Sequence, residues 1–294
     1  MGAADVVPGV SGGTMALILG IYQRLLEAIR AFDVTLVRLL AARRLRDAFG
    51  HVDIAFLIPL GIGILGAILF FTRIVSMPQL LRDYPEQIYA LFFGLIVGSI
   101  FVLLRGLSPM RWRDLIFLVA GTLFGLLIVN AVPFETPVDS WFIFLSGALA
   151  ICAMILPGIS GSFILLLLRK YEYVFNAIGH FDFSVIVPFA LGAASGLMLF
   201  SRLLVWLLKH HYRIIMSAIV GVLIGSLWLL WPFQARSYAL IRGKQQLVFS
   251  TPVWPADAGG AETLAVGLCI AGIAAVFTID KLARGKQKRA HGLF

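Results

Sequence analysis

Uncharged or nearly uncharged runs fall at about 6–23, 54–72, 87–104, 115–134, 140–168, 183–201, 214–235 and 263–279. Crossing a bilayer takes roughly 20 apolar residues at about 1.5 Å rise each. The runs 54–72, 87–104, 115–134, 183–201, 214–235 and 263–279 each fit one helical span. The run 140–168 does not. As one helix it would measure about 44 Å, against a hydrocarbon core of about 30 Å. Pro157 and Gly158 lie near its middle. Proline removes a backbone donor and breaks the ladder, and glycine permits the turn that follows. The pattern predicts a re-entrant hairpin with helix in, a break at PGISGS, and helix out on the same side. Irregular backbone at membrane depth is tolerated only where it is buried in protein or lines a cavity. The break therefore marks a candidate site.

The chain also repeats itself. PGVSGGTMALILGIYQRLLEAI (8–29) aligns without gaps on PGISGSFILLLLRKYEYVFNAI (157–178), with 9 of 22 columns identical. DIAFLIPLGIGILGAILFFTR (53–73) matches DFSVIVPFALGAASGLMLFSR (182–202) at Asp, Pro, Gly, Phe and Arg. FGLIVGSI (93–100) matches VGVLIGSL (220–227). Similarity among apolar segments is common by chance, but gapless agreement in the rare residues is not. Residues 1–134 then form one half, with a re-entrant segment 5–29 and spans 54–72, 87–104 and 115–134. Residues 140–280 form the other, with a re-entrant segment 140–178 and spans 183–201, 214–235 and 263–279. A hairpin returns to its own side and three spans do not, so the second half must be inverted relative to the first. The expected fold class is an all-α polytopic membrane protein built as an inverted repeat, the architecture of many secondary transporters. The second hairpin has an inbound arm, 140–156, where the first has only Met1 to Val7. Either that arm is missing or the sequence begins late.

Charge orients this arrangement. Segments 30–53, 105–113, 202–213 and the tail 281–294 hold 16 Arg and Lys, whereas 73–86, 131–140, 169–182 and 232–262 hold 7. Cytoplasmic loops carry the excess of basic residues. The bias puts the C-terminus inside, with the first hairpin entering from the cytoplasm and the second from outside.

Composition narrows the class. The chain is 60% hydrophobic and 13% charged, where soluble domains carry about 25% charged residues. A net charge of +9 reads here as topology and lipid contact rather than nucleic-acid binding, and the basic 281–294 tail fits an anionic lipid surface. Cys152 and Cys269 are far apart in apolar runs, and the histidines form no zinc-ligand spacing. No cofactor is expected.

The chemistry lies in the paired breaks. A helix starting at SGG or SGS presents unpaired N–H groups that, with the helix dipole, favour an anion. Gly12, Gly13 and Gly161 let a ligand approach the backbone, while Ser11, Thr14, Ser160 and Ser162 add hydroxyl donors. Pro8, Gly9, Pro157 and Gly158 make the breaks. A structural turn with capping hydroxyls explains one such motif, but two in opposed hairpins favour a binding site. Arg73 and Arg202 end equivalent spans, where each reads as an interfacial anchor or as a phosphate contact. Asp5, beside the first break, is the candidate for proton or sodium coupling.

DVVPGVSGGT with LGIYQRLLEAI, and PGISGSFILLLL with YEYVFNAI, resemble the PopT-type polyprenyl-phosphate transporter family of bacteria, formerly a membrane domain family of unknown function. The resemblance covers nearly the whole chain. It implies a flippase of the cytoplasmic (inner) membrane that returns undecaprenyl phosphate from the outer to the cytoplasmic leaflet for peptidoglycan and other envelope polymer synthesis. By position it carries the family's motif onto Asp5, Pro8, Gly9, Ser11, Gly12, Gly13 and Thr14, and onto Pro157, Gly158, Ser160, Gly161 and Ser162. Arg73 and Arg202 match arginines of the same spans. Gln23 departs from the family's Tyr-Glu pair, and Arg169-Lys170 from its smaller residues. The competing reading is a transporter or channel for a small soluble anion. A lipid phosphatase would need a nucleophile and an acid/base partner, and no such pair is evident. An assembly protein would not need two broken helices.

Overall fold

The computed structural model describes residues 1–5, 11–75, 77–241, 244–254 and 260–291. Pro8 and Gly9 lie outside the described residues. The N-terminal part runs through α1 (Gly2–Asp5), α2 (Gly12–Ile18), α3 (Tyr22–Arg30), α4 (Val34–Ala41) and α5 (Leu45–His51). It continues with α6 (Ile54–Leu69), extended by a π-helical turn over Phe70–Ile74, then α7 (Met77–Asp83), α8 (Pro85–Gly106) and α9 (Trp112–Val129). The C-terminal part contains α10 (Ser140–Ile155), α11 (Gly161–Leu167), α12 (Tyr171–Gly179), α13 (Phe183–His210) and α14 (Tyr212–Ser226). An antiparallel hairpin, β1 (Gln234–Ile241) and β2 (Lys244–Pro252), precedes α15 (Gly260–His291).

Among the described residues, four helical stretches are long and apolar enough to cross a membrane: Pro85–Gly106, Trp112–Val129, Phe183–His210 and Glu262–Leu282. The pair α5 and α6, bent by 63°, makes a fifth if counted as one span. No residue of α6 is buried, and Ile58, Ile62, Leu65 and Leu69 are each more than half exposed. Such a face is stable against lipid and not against water. The chain is a predominantly helical, multi-pass membrane protein.

Some boundaries differ from those the apolar runs predict. The span expected over 214–235 ends as a helix at Ser226, and the β-hairpin begins eight residues later, which amends the all-α expectation. The span expected to 134 stops at Val129, where the Asn130 side chain donates back to the Leu126 carbonyl. In contrast, α13 runs on past 201 to His210, and its 28 residues make about 42 Å of helix.

Three helix pairs form the body: α8 with α15, α9 with α14, and α10 with α13. Glycines set their closeness. A methyl added at Gly94 would overlap the Cys269 backbone, one at Gly221 the Leu118 carbonyl, and one at Gly192 the Phe144 carbonyl. Small residues let backbones meet where apolar burial gives little drive inside lipid. Gly94, Gly98 and Ser99 on α8 recur as Gly221, Gly225 and Ser226 on α14, all six buried in helix contacts.

The two motif regions have matching local structure. Helices α2 and α11 are each 7 residues long, and α3 and α12 are each 9. Their N-caps adopt nearly the same extended backbone, φ −110° and ψ 133° at Ser11, φ −101° and ψ 133° at Ser160. Gly20 and Arg169, equivalent in the alignment, both take left-handed φ, at 69° and 54°.

Candidate functional site

The second break starts where α10 meets Pro157. Leu156 has ψ 123°, the extended value forced on a residue before proline. Gly158 takes φ 93°, which an L side chain resists. Breaking the helix frees backbone groups that lipid cannot satisfy. Side chains of the first motif region satisfy them. Ser11 Oγ donates to the Met154 carbonyl at 3.3 Å, and Tyr22 Oη donates to the Ile155 carbonyl at 3.1 Å. The Gly158 N–H donates to Thr14 Oγ1 at 2.9 Å. Ser11, Thr14 and Tyr22 are all buried. Gly13 permits the approach: a Cβ there would lie 2.9 Å from the Ile155 carbonyl oxygen. The structure thus brings the two motifs into direct contact.

The start of α2 is internally capped. The Gly13 N–H donates to Ser11 Oγ at 3.1 Å, and the Gly12 N–H donates to Asp5 Oδ1 at 2.8 Å. A carboxylate of the chain itself therefore sits at a helix start that the sequence reading assigned to a ligand anion. The expectation that Ser11 and Thr14 present free hydroxyls meets a different arrangement, since both are engaged in holding the break.

The start of α11 differs. Ser160 makes no capping bond to the backbone. Its hydroxyl lies 2.7 Å from that of Ser162, and either oxygen can be the donor. Gly161 and Ser162 line a cleft of about 530 Å³ together with Asp5 and Tyr171. Its walls are otherwise apolar, including Ile151, Met154, Leu165 and Phe189. Leu166 and Phe175, half exposed, carry those walls to the surface. The cleft is amphipathic, with hydroxyls and a carboxylate in an apolar surround.

Arg73 stands exposed on the π-helical turn after α6. Arg202, also exposed, lines a separate cleft with residues of α3, α4 and α13. The structure places neither guanidinium in the Asp5–Ser162 cleft.

The sequence reading passed over Tyr22 and Tyr171 as site residues. They are equivalent in the repeat, yet Tyr22 closes the break while Tyr171 faces the cleft, its ring 4.5 Å from that of Phe175. Two tyrosines in one alignment column, at the start of equivalent helices, are the available signal.

Comparisons with known proteins agree with one another. Residues 1–247 match the VCA0040-like family, described as undecaprenyl phosphate translocase-like. A Vibrio cholerae protein named polyprenyl-phosphate transporter is 41% identical over 234 residues, 80% of this chain and 75% of that protein. A Staphylococcus aureus protein of the same name is 31% identical over 250 residues, 79% of this chain and 83% of that one. No solved structure matches the chain. The chain belongs to the undecaprenyl phosphate translocase-like family, and it is a membrane transporter rather than an enzyme.

Proposed function

We propose that this chain moves a polyprenyl phosphate, undecaprenyl phosphate in particular, from the outer to the cytoplasmic leaflet of a bacterial inner membrane. The lipid carrier then re-enters peptidoglycan and other envelope polymer synthesis. The observation that carries this reading is the amphipathic cleft beside the paired breaks. An isolated anion in hydrocarbon is very costly. Ser160, Gly161 and Ser162 offer hydrogen-bond donors to the phosphate, while Ile151, Leu165 and Phe189 suit the isoprenoid chain. Ser11, Gly12, Gly13 and Thr14 hold the backbone that shapes this cradle, with Pro157 and Gly158 at its turn. Arg73 and Arg202, both outside this cleft, serve the phosphate on its way in and out, because a guanidinium matches phosphate oxygens. A small soluble anion would have no use for the apolar walls.

The inverted repeat belongs to the same proposal. Helix packing supports it: α9 rests on α14 and α15 rests on α8. Exchanging the halves converts the first pairing into the second. Each middle span thus packs on the last span of the other half, as a pseudo-two-fold axis requires. The charge bias puts the basic 281–294 tail and the C-terminus in the cytoplasm. Asp5 is the coupling group. When ionised it accepts from the Gly12 N–H and opposes a phosphate in the same cleft. When protonated it does not oppose one. Proton coupling is therefore favoured over sodium coupling.

The test is reconstitution into liposomes with labelled undecaprenyl phosphate and measurement of transbilayer movement, with Ser160→Ala/Ser162→Ala and Arg73→Ala/Arg202→Ala variants alongside. Movement that falls in folded variants supports the proposal. No movement under pH or sodium gradients, with uptake of a soluble anion instead, favours the competing reading.

A further inference from the structure

We propose that the cleft between α3, α4 and the end of α13 is a second binding site for a lipid phosphate monoester, distinct from the cleft at the breaks. It resting on the transport reading concerns only which lipid arrives; the site itself stands on its own geometry.

The cleft encloses about 760 Å³, larger than the one beside the breaks. Three basic side chains line it: Arg30 from α3, and Arg202 and Lys209 from α13. Its one carboxylate, Asp33, is already engaged. Asp33 Oδ1 accepts from the Leu36 N–H at 3.0 Å and lies 3.1 Å from His51 Nε2. Lys209 is tied to Glu27 of α3 at 3.3 Å, an ion pair that holds α13 against α3 at the cleft's edge. Net positive charge is thus built into the walls and survives the local ion pairs.

The cleft is not merely basic. Val34, Leu203 and Trp206 line it with apolar surface, and each is half exposed or more. Trp206 stacks on His210, ring centroids 5.0 Å apart, and its carbonyl lies 2.9 Å from His210 Nδ1. The length of α13 explains the position. Its helix of about 42 Å exceeds the hydrocarbon core by roughly 12 Å, which carries its last turns to headgroup level. Tryptophan favours that interface, and arginine there reaches phosphate with a fork of donors. Cations beside an apolar wall at that depth fit a ligand with one anionic head and a hydrocarbon tail. A free phosphate would meet the cations but leave the wall unused.

The site is tested by photo-crosslinking the full-length protein in nanodiscs with a diazirine-tagged isoprenyl monophosphate and mapping adducts by mass spectrometry. Adducts are expected within 30–35 and 202–210 as well as around the first cleft. In Arg30→Gln/Arg202→Gln, labelling of 202–210 should fall about tenfold or more, as two charge-assisted bonds are lost. In Arg30→Gln alone, labelling around Ser162 should persist. Both arginines are exposed, so folding is expected to survive, and gel filtration checks it. Arg202→Lys, which keeps the charge, should retain most of the labelling. Unlabelled isoprenyl monophosphate should compete, whereas the parent isoprenol and inorganic phosphate should not. Adducts confined to the first cleft overturn this inference and leave the transport reading standing. Adducts at neither cleft overturn both. Equal competition by isoprenol would show that the cations are unused, and equal competition by inorganic phosphate would show a soluble-anion site. Either result overturns the proposal.

Discussion

Thr14 Oγ1 accepts the backbone N–H of Gly158 across 144 positions of sequence, at 2.9 Å in a buried setting. With Ser11 and Tyr22, it makes one motif region the cap of the other's broken helix. The hydroxyls of the PGxSG pair therefore divide their work. Those of the first copy complete the backbone, whereas Ser162 of the second lines the cleft.

Replacing Thr14 by valine keeps the shape and strands the Gly158 N–H. An unsatisfied buried donor costs about 1–3 kcal/mol. The expected outcome is a lower unfolding midpoint in detergent and a parallel fall in lipid movement, with Thr14→Ser close to the parent. A valine variant as stable as the parent would remove the capping role.

How much of this could be read from sequence depends on range. The break at Pro157-Gly158 was legible because proline and glycine act on their own backbone. The equal lengths of α2 and α11 followed from gapless alignment. The bond from Gly158 to Thr14 was not legible, because no local pattern says which side chain meets a freed N–H 144 residues away. Asp5 was noticed for its charge, yet its role as acceptor for Gly12 depends on how α1 returns to α2. The span expected over 214–235 failed for another reason. Hydropathy scores Trp228 to Trp231 as lipid-compatible but does not sense that the helix ends at Ser226.

Asp5→Asn offers a separate test. The amide oxygen can still accept the Gly12 N–H, so stability should change little. The titratable proton is gone. The expected result is lipid movement that no longer responds to an imposed pH gradient, measured in liposomes with the parent as reference. An unchanged response would move coupling to another group.

Arg213 holds the turn between α8 and α9. Its guanidinium donates to Asp114 Oδ2 at 2.6 Å and to the Leu107 and Pro109 carbonyls at 2.7 and 2.8 Å. Arg213→Gln should lower the unfolding midpoint more than Asp114→Asn does, because the arginine retains two carbonyls when the carboxylate is lost. The double variant should lie near Arg213→Gln alone. Additive losses would show that the two residues act independently.

Asp33 gives a pH signature. The Leu36 N–H, and then the His51 ring, hold its carboxyl below the usual carboxylate range. A depressed folded value means the stabilisation is full above the unfolded value of about 3.9 and is lost as pH falls through the folded value. Asp33→Asn should therefore be nicked by protease in the 30–53 segment faster than the parent at pH 7. The difference should shrink toward pH 3. A gap that widens with acid would contradict this sign.

Trans-capping of the second break has a consequence for biogenesis. A ribosome makes Ser11, Thr14 and Tyr22 long before it makes Leu156 to Gly158. At about 5–20 residues per second the interval is on the order of ten seconds. The partners of the freed backbone are thus already membrane-embedded when that backbone emerges, and the second hairpin enters a waiting socket. A C-terminal half expressed alone would insert its break with nothing to receive it, whereas the two halves co-expressed as separate chains would supply the socket in trans.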